Sequence, residues 1–441
     1  MQAAAPHNWF VIHGGIAMAI SDKGLSTAPA RAVSPALAYS LMLSIVLLII
    51  LCLSYATNAA DRQLFPTLLP AIRKAFGYNL KIAGLLSTVF TLGLAVAGIP
   101  TGYILDRTSR KAVILIGMVI YSVFTLATIY ASGFWDMLIY RAMTGIGEGM
   151  QMAGLFAAIG SYFHRKRSFY IGWMIVAYGV GAFLGPRIGA RLAQTANSWR
   201  VPFVWFAAIG LVMAVIVLLV VPKAFSESEG PATAAAVDQA AIAHVPENLW
   251  NHNVILGFIG CIILGYTLYG FIGLYTTYLK DALKYAPMAA AAAFSWFGLG
   301  GFCSFIGGWF GDRFPQRGVI AVAFGFMAVI GYSMYNVATS VGAQSMLCFL
   351  TGAFASGFVF VNLLSLLQRS VRPPMVGRAS GIFLTSLFGS ASTAGYLMGA
   401  LVGKFGWGNA ALIELSLFPV IGIIAMVLVN PKQLIAVRAK A

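Results

Sequence analysis

The chain has 441 residues, 60% of them hydrophobic and only 9% charged, with a mean hydropathy of +0.86. A soluble domain of this length cannot bury so much apolar surface, so the composition implies a polytopic membrane protein and excludes a soluble enzyme or binding module. The net charge of +16 does not mark a nucleic-acid binder, because the basic residues fall mainly in short loops between apolar runs.

Residues 1–35 lack a basic residue before the apolar patch Trp9–Ile12 and lack a clear small-residue cleavage site, so they do not read as a signal peptide. They are expected to form a cytoplasmic tail or to reflect an overextended start. Apolar runs of spanning length follow at 39–66, 81–104, 111–132, 136–161, 169–192 and 201–221. A polar segment then runs from Pro222 to Asn253. Six more runs lie at 254–280, 287–311, 318–338, 343–367, 379–402 and 410–430. The prediction is an all-α protein of twelve transmembrane helices in two six-helix bundles, 36–221 and 254–431. A linker at 222–253 and a tail at 432–441 complete it. With both termini cytoplasmic, the inner loops hold most of the Lys and Arg, although Arg73, Lys74 and Lys81 make the first outer loop more basic than the rule favours.

Two opposite charges interrupt the first run. Asp61 and Arg62 stand side by side in YATNAADRQLFP, and ionisable groups in a membrane helix usually face a cavity and carry function. The fourth run carries RAMTGIGEG, with Arg141 and Glu148 seven residues apart, about two turns and therefore on one face. Helices one and four run in opposite senses, so Asp61, Arg62 and Arg141 are expected in the outer half and Glu148 near the middle. Two acids and two bases form a neutral set. A proton on Asp61 or Glu148 would free an arginine for an anion, which couples proton to substrate. A purely structural salt-bridge network is the competing reading. Tyr55 and Asn58, one to two turns before Asp61, are expected to line the same cavity.

The two halves repeat. GYILDRTSRK (Gly102–Lys111) and GWFGDRFPQR (Gly308–Arg317) occupy matching loops. Gly102, Asp106, Arg107, Arg110, Gly308, Asp312 and Arg313 are expected to form conformational latches, glycine allowing close helix approach and aspartate capping or pairing. Repeats of this kind put the substrate site near the midplane, between halves.

Other features weigh less. GAFLGPRIG (Gly181–Gly189) reads either as a pliable packing helix or as an antiport signature, with Arg187 and Arg191 expected to snorkel outward. In the second half Tyr266, Tyr269, Asn362, Ser386 and Ser390 are candidate substrate contacts, although any one is as readily a packing residue. Glu414 is expected near the outer surface. The cysteines, Cys52, Cys261, Cys303 and Cys348, lack metal or redox spacing, and no metal site is expected. None of the five histidines looks like a membrane proton relay.

The six-plus-six pattern and the duplicated Gly-x-x-x-Asp-Arg loop resemble the major facilitator superfamily. The Asp61-Arg62 and Arg141–Gly149 stretches are similar to its organic-anion symporter branch, the sugar-acid and vesicular glutamate-type transporters. They are also similar to spinster-like lipid transporters. The first resemblance implies protonation at Asp61 and Glu148 and substrate binding at Arg62 and Arg141. Helix seven lacks the additional arginine that some anion transporters place there, which argues against a glutamate-type site.

The expected function is a proton-coupled importer of a small organic anion, a carboxylate, working by alternating access as a monomer in a bacterial inner membrane. No cofactor is expected beyond the coupling proton, with sodium as an open alternative, and no nucleic acid. The rival is a proton-coupled exporter of a drug or lysolipid-like amphiphile. An integral membrane enzyme or a receptor fits the motifs poorly.

Overall fold

The structure, a computed structural model, describes residues 39–163, 167–227, 244–372 and 375–435. The tail predicted at 1–35, most of the linker and the last residues lie outside that set. Among the described residues all regular structure is helical. The first six spans are α1 (Leu41–Phe76), α2 with α3 (Leu80–Thr88, Phe90–Arg107), α4 (Arg110–Ala127), α5 (Phe134–Tyr162), α6 (Arg167–Thr195) and α7 (Val201–Val220). A short α8 (Lys223–Ser226) follows. The second set is α9 (His252–Asp281), α10 with α11 (Pro287–Gly300, Ser304–Arg313), α12 (Gln316–Asn336), α13 with α14 (Val341–Thr351, Val361–Arg369), α15 (Val376–Ala411) and α16 (Phe418–Leu428).

Ten stretches are long and apolar enough to cross a membrane. One of them, Arg378–Leu428, has 51 residues. That is about 77 Å of helix against a hydrocarbon core of about 30 Å. It turns at Gly406, whose φ of 77° only glycine adopts without strain, and so supplies two spans. α5 falls outside those ten and carries Asp136, Arg141 and Glu148, but its 29 residues suffice for a crossing. This arrangement matches twelve spans.

α1 outruns its predicted end at residue 66 by ten residues, despite Pro66 and Pro70. Pro70 has no N–H to give to the Pro66 carbonyl, which would otherwise be orphaned in the membrane. Thr276 of α9 donates its hydroxyl to that carbonyl instead. The helix stops at Gly77, where φ is 68°.

Four hydrogen-bonded contacts join the first six spans to the last six among the described residues. They are Thr276 to Pro66, Arg73 to Asp281, Thr88 to Ser392 and Arg187 to Ser295. All lie toward the end that carries the 77–79 and 282–286 loops, so that end is sealed. Gly84 and Gly395 face each other there, and a Cβ on either would fall on the other's backbone. Gly395→Leu is therefore expected to keep this end open. A cysteine replacing Thr88, fully buried in the sealed state, should then react with an impermeant maleimide that does not label it otherwise. Equal labelling in both backgrounds would show that the glycine pair does not form the seal.

One buried core runs through the last six spans and the sealed end of the first six, including Phe65, Phe90, Tyr275 and Phe383. A second lies among the first six alone, around Leu47, Tyr55, Tyr121 and Phe225.

Candidate functional site

Asp61, Arg62, Arg141 and Glu148 are all buried, none more than 4% exposed. Asp61 and Arg62 are adjacent, so their side chains leave α1 about 100° apart and meet different neighbours. Asp61 accepts a hydrogen bond from Thr125 of α4 at 2.7 Å, and its other oxygen has no protein partner. Arg62 turns to α5 and donates through Nε to Glu148 at 2.8 Å. Its Nη2 donates to Asn58 at 3.3 Å. The Asn58 amide donates to Gln151 at 2.8 Å, and Gln151 donates in turn to the Ser54 carbonyl at 3.1 Å. A polar chain thus runs along the α1–α5 contact.

Arg141 differs. Its guanidinium carbon sits 4.6 Å from the centre of the Phe65 ring and 5.1 Å from Phe90. Nε and Nη2 are buried with no hydrogen-bond partner, and one Glu148 oxygen is likewise unpaired. Arg141 is nonetheless in electrostatic reach of both Glu148 and Asp61. The glycines around it let the helices close in. A Cβ at Gly145 would strike the Phe90 backbone of α3, and one at Gly147 the backbone of α4 at Tyr121.

Aromatic rings complete the surroundings. Tyr55 packs on Tyr178 at 5.9 Å, and Arg62 lies 5.6 Å from the Tyr178 ring. Tyr269 of α9 packs on Phe90 at 6.2 Å and is in electrostatic reach of Arg62 and Glu148. Tyr55, Asn58 and Tyr269 therefore join the four charges, and Tyr269 brings in the other half of the chain.

Four candidates do not join them. Tyr266 meets Thr393 at 3.2 Å and packs on Phe418, within the last six spans. Ser386 and Ser390 donate to carbonyls one turn back in their own helix, Ile382 at 2.6 Å and Ser386 at 2.8 Å. Asn362 is tied to the Gly307 carbonyl at 2.9 Å, bracing α11 against α14 near the second repeated loop. Small polar residues in a membrane helix satisfy themselves on nearby backbone, which a linear pattern does not distinguish from a ligand contact.

Two further expectations change. Arg187 is half-buried and bonds Ser295 across the halves rather than snorkelling. Glu414 is fully buried, with both carboxyl oxygens unpaired, in a π-helical turn at Leu412–Leu417 against Gly270. Gly181, Gly185 and Gly189 face α1 at Ala56, Ala60 and Leu64, which accounts for that motif by packing. Of the latch residues, the side chains of Asp106 and Arg107 lie outside the described set. Gly102, Asp312 and Arg313 are exposed, while Gly308 and Arg110 are half-buried.

Thr125, Gln151, Phe65, Phe90 and Tyr178 belong to the site and had not been singled out. Gln151 lies three residues after Glu148 on the same face, which is a readable signal. Nothing in the sequence pairs Thr125 with Asp61.

The family model of the Major Facilitator Superfamily matches residues 51–395. The chain belongs to that superfamily. It is a multi-pass membrane transporter and not an enzyme. Relatives within the superfamily divide between substrate types. The hexuronate transporter of Bacillus subtilis is 27% identical over 382 residues, 81% of this chain and 86% of that protein. Protein spinster of Drosophila melanogaster is 31% identical over 182 residues, a match that spans 41% of this chain and only 30% of spinster. The quinolone resistance protein NorA of Staphylococcus aureus is 25% identical over 302 residues, 67% of this chain and 71% of NorA. In fold, a bacterial homologue of the human lysosomal transporter spinster, inward-facing and unoccupied, aligns with a TM-score of 0.67. That alignment covers 88% of this chain and 96% of the other at 19% identity.

Proposed function

We propose that this superfamily member is a proton-coupled importer of a small organic anion, with a carboxylate bound at Arg141 and protons carried by Asp61 and Glu148. The supporting observation is the buried Arg141 guanidinium, with two nitrogens unpaired, beside an Arg62–Glu148 pair that is already made. An unpaired buried cation is costly, and an anionic ligand offers the missing acceptors.

The charge count supplies the coupling. With all four groups ionised the set is neutral, so a lone incoming carboxylate makes it net negative. One proton on an acid restores neutrality. Two unit charges 4 Å apart interact by about 4 kcal/mol at an effective dielectric of 20, so proton and anion favour each other's binding. Tyr269 lets the second half sense the same site. We take 36–221 and 254–431 as the bodies that rock about it. With the basic loops cytoplasmic in a bacterial inner membrane, the sealed end is the outer one, and this is the inward-facing state.

Uptake into proteoliposomes under an imposed inward proton gradient tests this reading, with labelled hexuronates as probes. Asp61→Asn is expected to keep binding and to lose gradient-driven accumulation. Unchanged uptake when choline replaces sodium is expected for proton coupling. Accumulation only under the reversed gradient would overturn import.

A second reading, export of an amphiphile, draws on the rings of Phe65, Phe90, Tyr178 and Tyr269 around the charges and on the spinster relatives. A drug or lysolipid that competes with the hexuronate and moves outward would favour it.

A further inference from the structure

The two repeated loops end in different surroundings. In the first, α4 begins at Arg110. The hydroxyl of Ser109 caps it by accepting from the Ala112 amide at 3.2 Å. A carboxylate also sits there, Glu227 accepting from the Lys111 amide at 3.1 Å. Lys111 and Arg110 donate to the carbonyls of Leu218 and Ser226. This start of a helix, where the positive dipole end and two basic side chains meet, holds an anion from the chain itself.

In the second repeat, Pro315 replaces Ser109 and Arg317 replaces Lys111. Pro315 gives α12 no side-chain cap. Among the described residues no carboxylate accepts from its first amides. Arg313, Arg317 and Arg369 surround a cavity of about 160 Å³ at this point. Arg317 donates to the Val429 carbonyl at 3.1 Å, and Arg369 to the Ile435 carbonyl at 2.7 Å and the Gln316 side chain at 2.9 Å, all neutral acceptors. Arg313 is exposed and lies over the Trp309 ring at 5.5 Å. Asp312 stands on the rim and offsets one charge of the three, which leaves two.

Phe314 and Pro315 also line a second, larger cavity of about 450 Å³. Its walls are apolar throughout, among them Val322, Phe326, Phe354 and Phe358. Val322 is 61% and Phe326 49% exposed, so the groove opens on the side of the protein that meets the bilayer. A cationic pocket continuous with an apolar, membrane-facing groove has the chemistry of one amphiphilic ligand.

We propose that this place is a binding site for an anionic phospholipid, its phosphate among Arg313, Arg317 and Arg369 and one acyl chain along Phe314, Phe326 and Phe354. The lipid supplies in the second repeat the negative charge that Glu227 supplies in the first. A free phosphate would fill the pocket and leave the groove empty, so the two sources are separable.

The purified full-length protein in detergent, titrated with phosphatidylglycerol, phosphatidylcholine or inorganic phosphate while its melting temperature is followed, tests the site. Phosphatidylglycerol is expected to give a saturable rise, and the other two none. Arg313→Ala should raise the half-maximal lipid concentration about fivefold, the effect of one basic residue at a membrane surface, while Arg313→Lys should bind as the parent does. Gly318→Phe should weaken binding at least as much by filling the groove. A Cβ at Gly318 meets nothing within 4 Å, and Arg313 is exposed with its charge over the Trp309 ring, so both variants should melt close to the parent without lipid. An equal rise with phosphatidylcholine, or the full rise with phosphate alone, would overturn the proposal. So would parental lipid dependence in both Arg313→Ala and Gly318→Phe.

Discussion

Arg141→Met is expected to abolish anion binding while leaving the protein as stable as the parent or more so. Methionine keeps most of the stem volume between Phe65 and Phe90 and removes the charge. No hydrogen bond is lost at Nε or Nη2, which have no protein acceptor, although Asp61 and Glu148 lose a nearby positive charge. The cost of burying this guanidinium, unrelieved by hydrogen bonds at those nitrogens, disappears with it and offsets the lost attraction, and a proton on Asp61 restores neutrality to the cluster. The ligand, in contrast, loses its only unengaged cation in the cluster. Losing a buried charge-assisted contact costs about 2–5 kcal/mol, roughly thirtyfold or more in Kd. The hexuronate-dependent rise in melting temperature should vanish, with the ligand-free melting temperature at or above the parental value. Retained binding would move the anion site away from Arg141.

Arg62→Met is expected to do the reverse and strike stability first. It leaves Glu148, at 0% exposure, with no partner for either oxygen. Breaking a buried pair from one side costs about 3–5 kcal/mol. Asn58 loses its donor as well, so the chain through Gln151 to Ser54 slackens. Adding Glu148→Gln to Arg62→Met should recover most of the loss, since a neutral amide needs no counter-charge. Denaturant unfolding of the single and double variants measures both effects. A single variant as stable as the parent would show that the pair contributes nothing in the membrane. The Arg73–Asp281 pair at the sealed end is a contrast. Its side chains are 29% and 37% exposed, and pairs of that kind contribute roughly 0–1 kcal/mol.

The two arginines thus separate in role, although they look equivalent in the chain. Each is one cation in an apolar helix, and each has an acid nearby in sequence. Arg62 adjoins Asp61 but pairs with Glu148. Arg141 shares a helix face with Glu148 but stacks on two phenylalanines. Sequence neighbours on a helix point apart by about 100°, so the partner is chosen by whichever helix packs on that face. Glu414 makes the same point. Its place in the last span suggested the surface, and the packing of α9 against that span buried it.

The amino-acid sequence alone determines the class, the six-plus-six division, the duplicated loop and the four membrane charges. These follow from local quantities: hydropathy over a span length, the spacing of residues along a helix and the cost of a charge in lipid. Even the two spans within Arg378–Leu428 were legible, as the separate apolar runs 379–402 and 410–430, while the turn at Gly406 between them came from the structure. Only the tertiary structure decides which acid meets which base and that Thr125 and Gln151 complete the site. It alone shows that Asn362, Ser386 and Ser390 bond nearby backbone carbonyls and stand apart from the four charges. These depend on contacts between helices far apart in the chain, such as Thr125 with Asp61 and Thr276 with Pro66. A pattern read along one helix carries no information about which neighbour its face will meet.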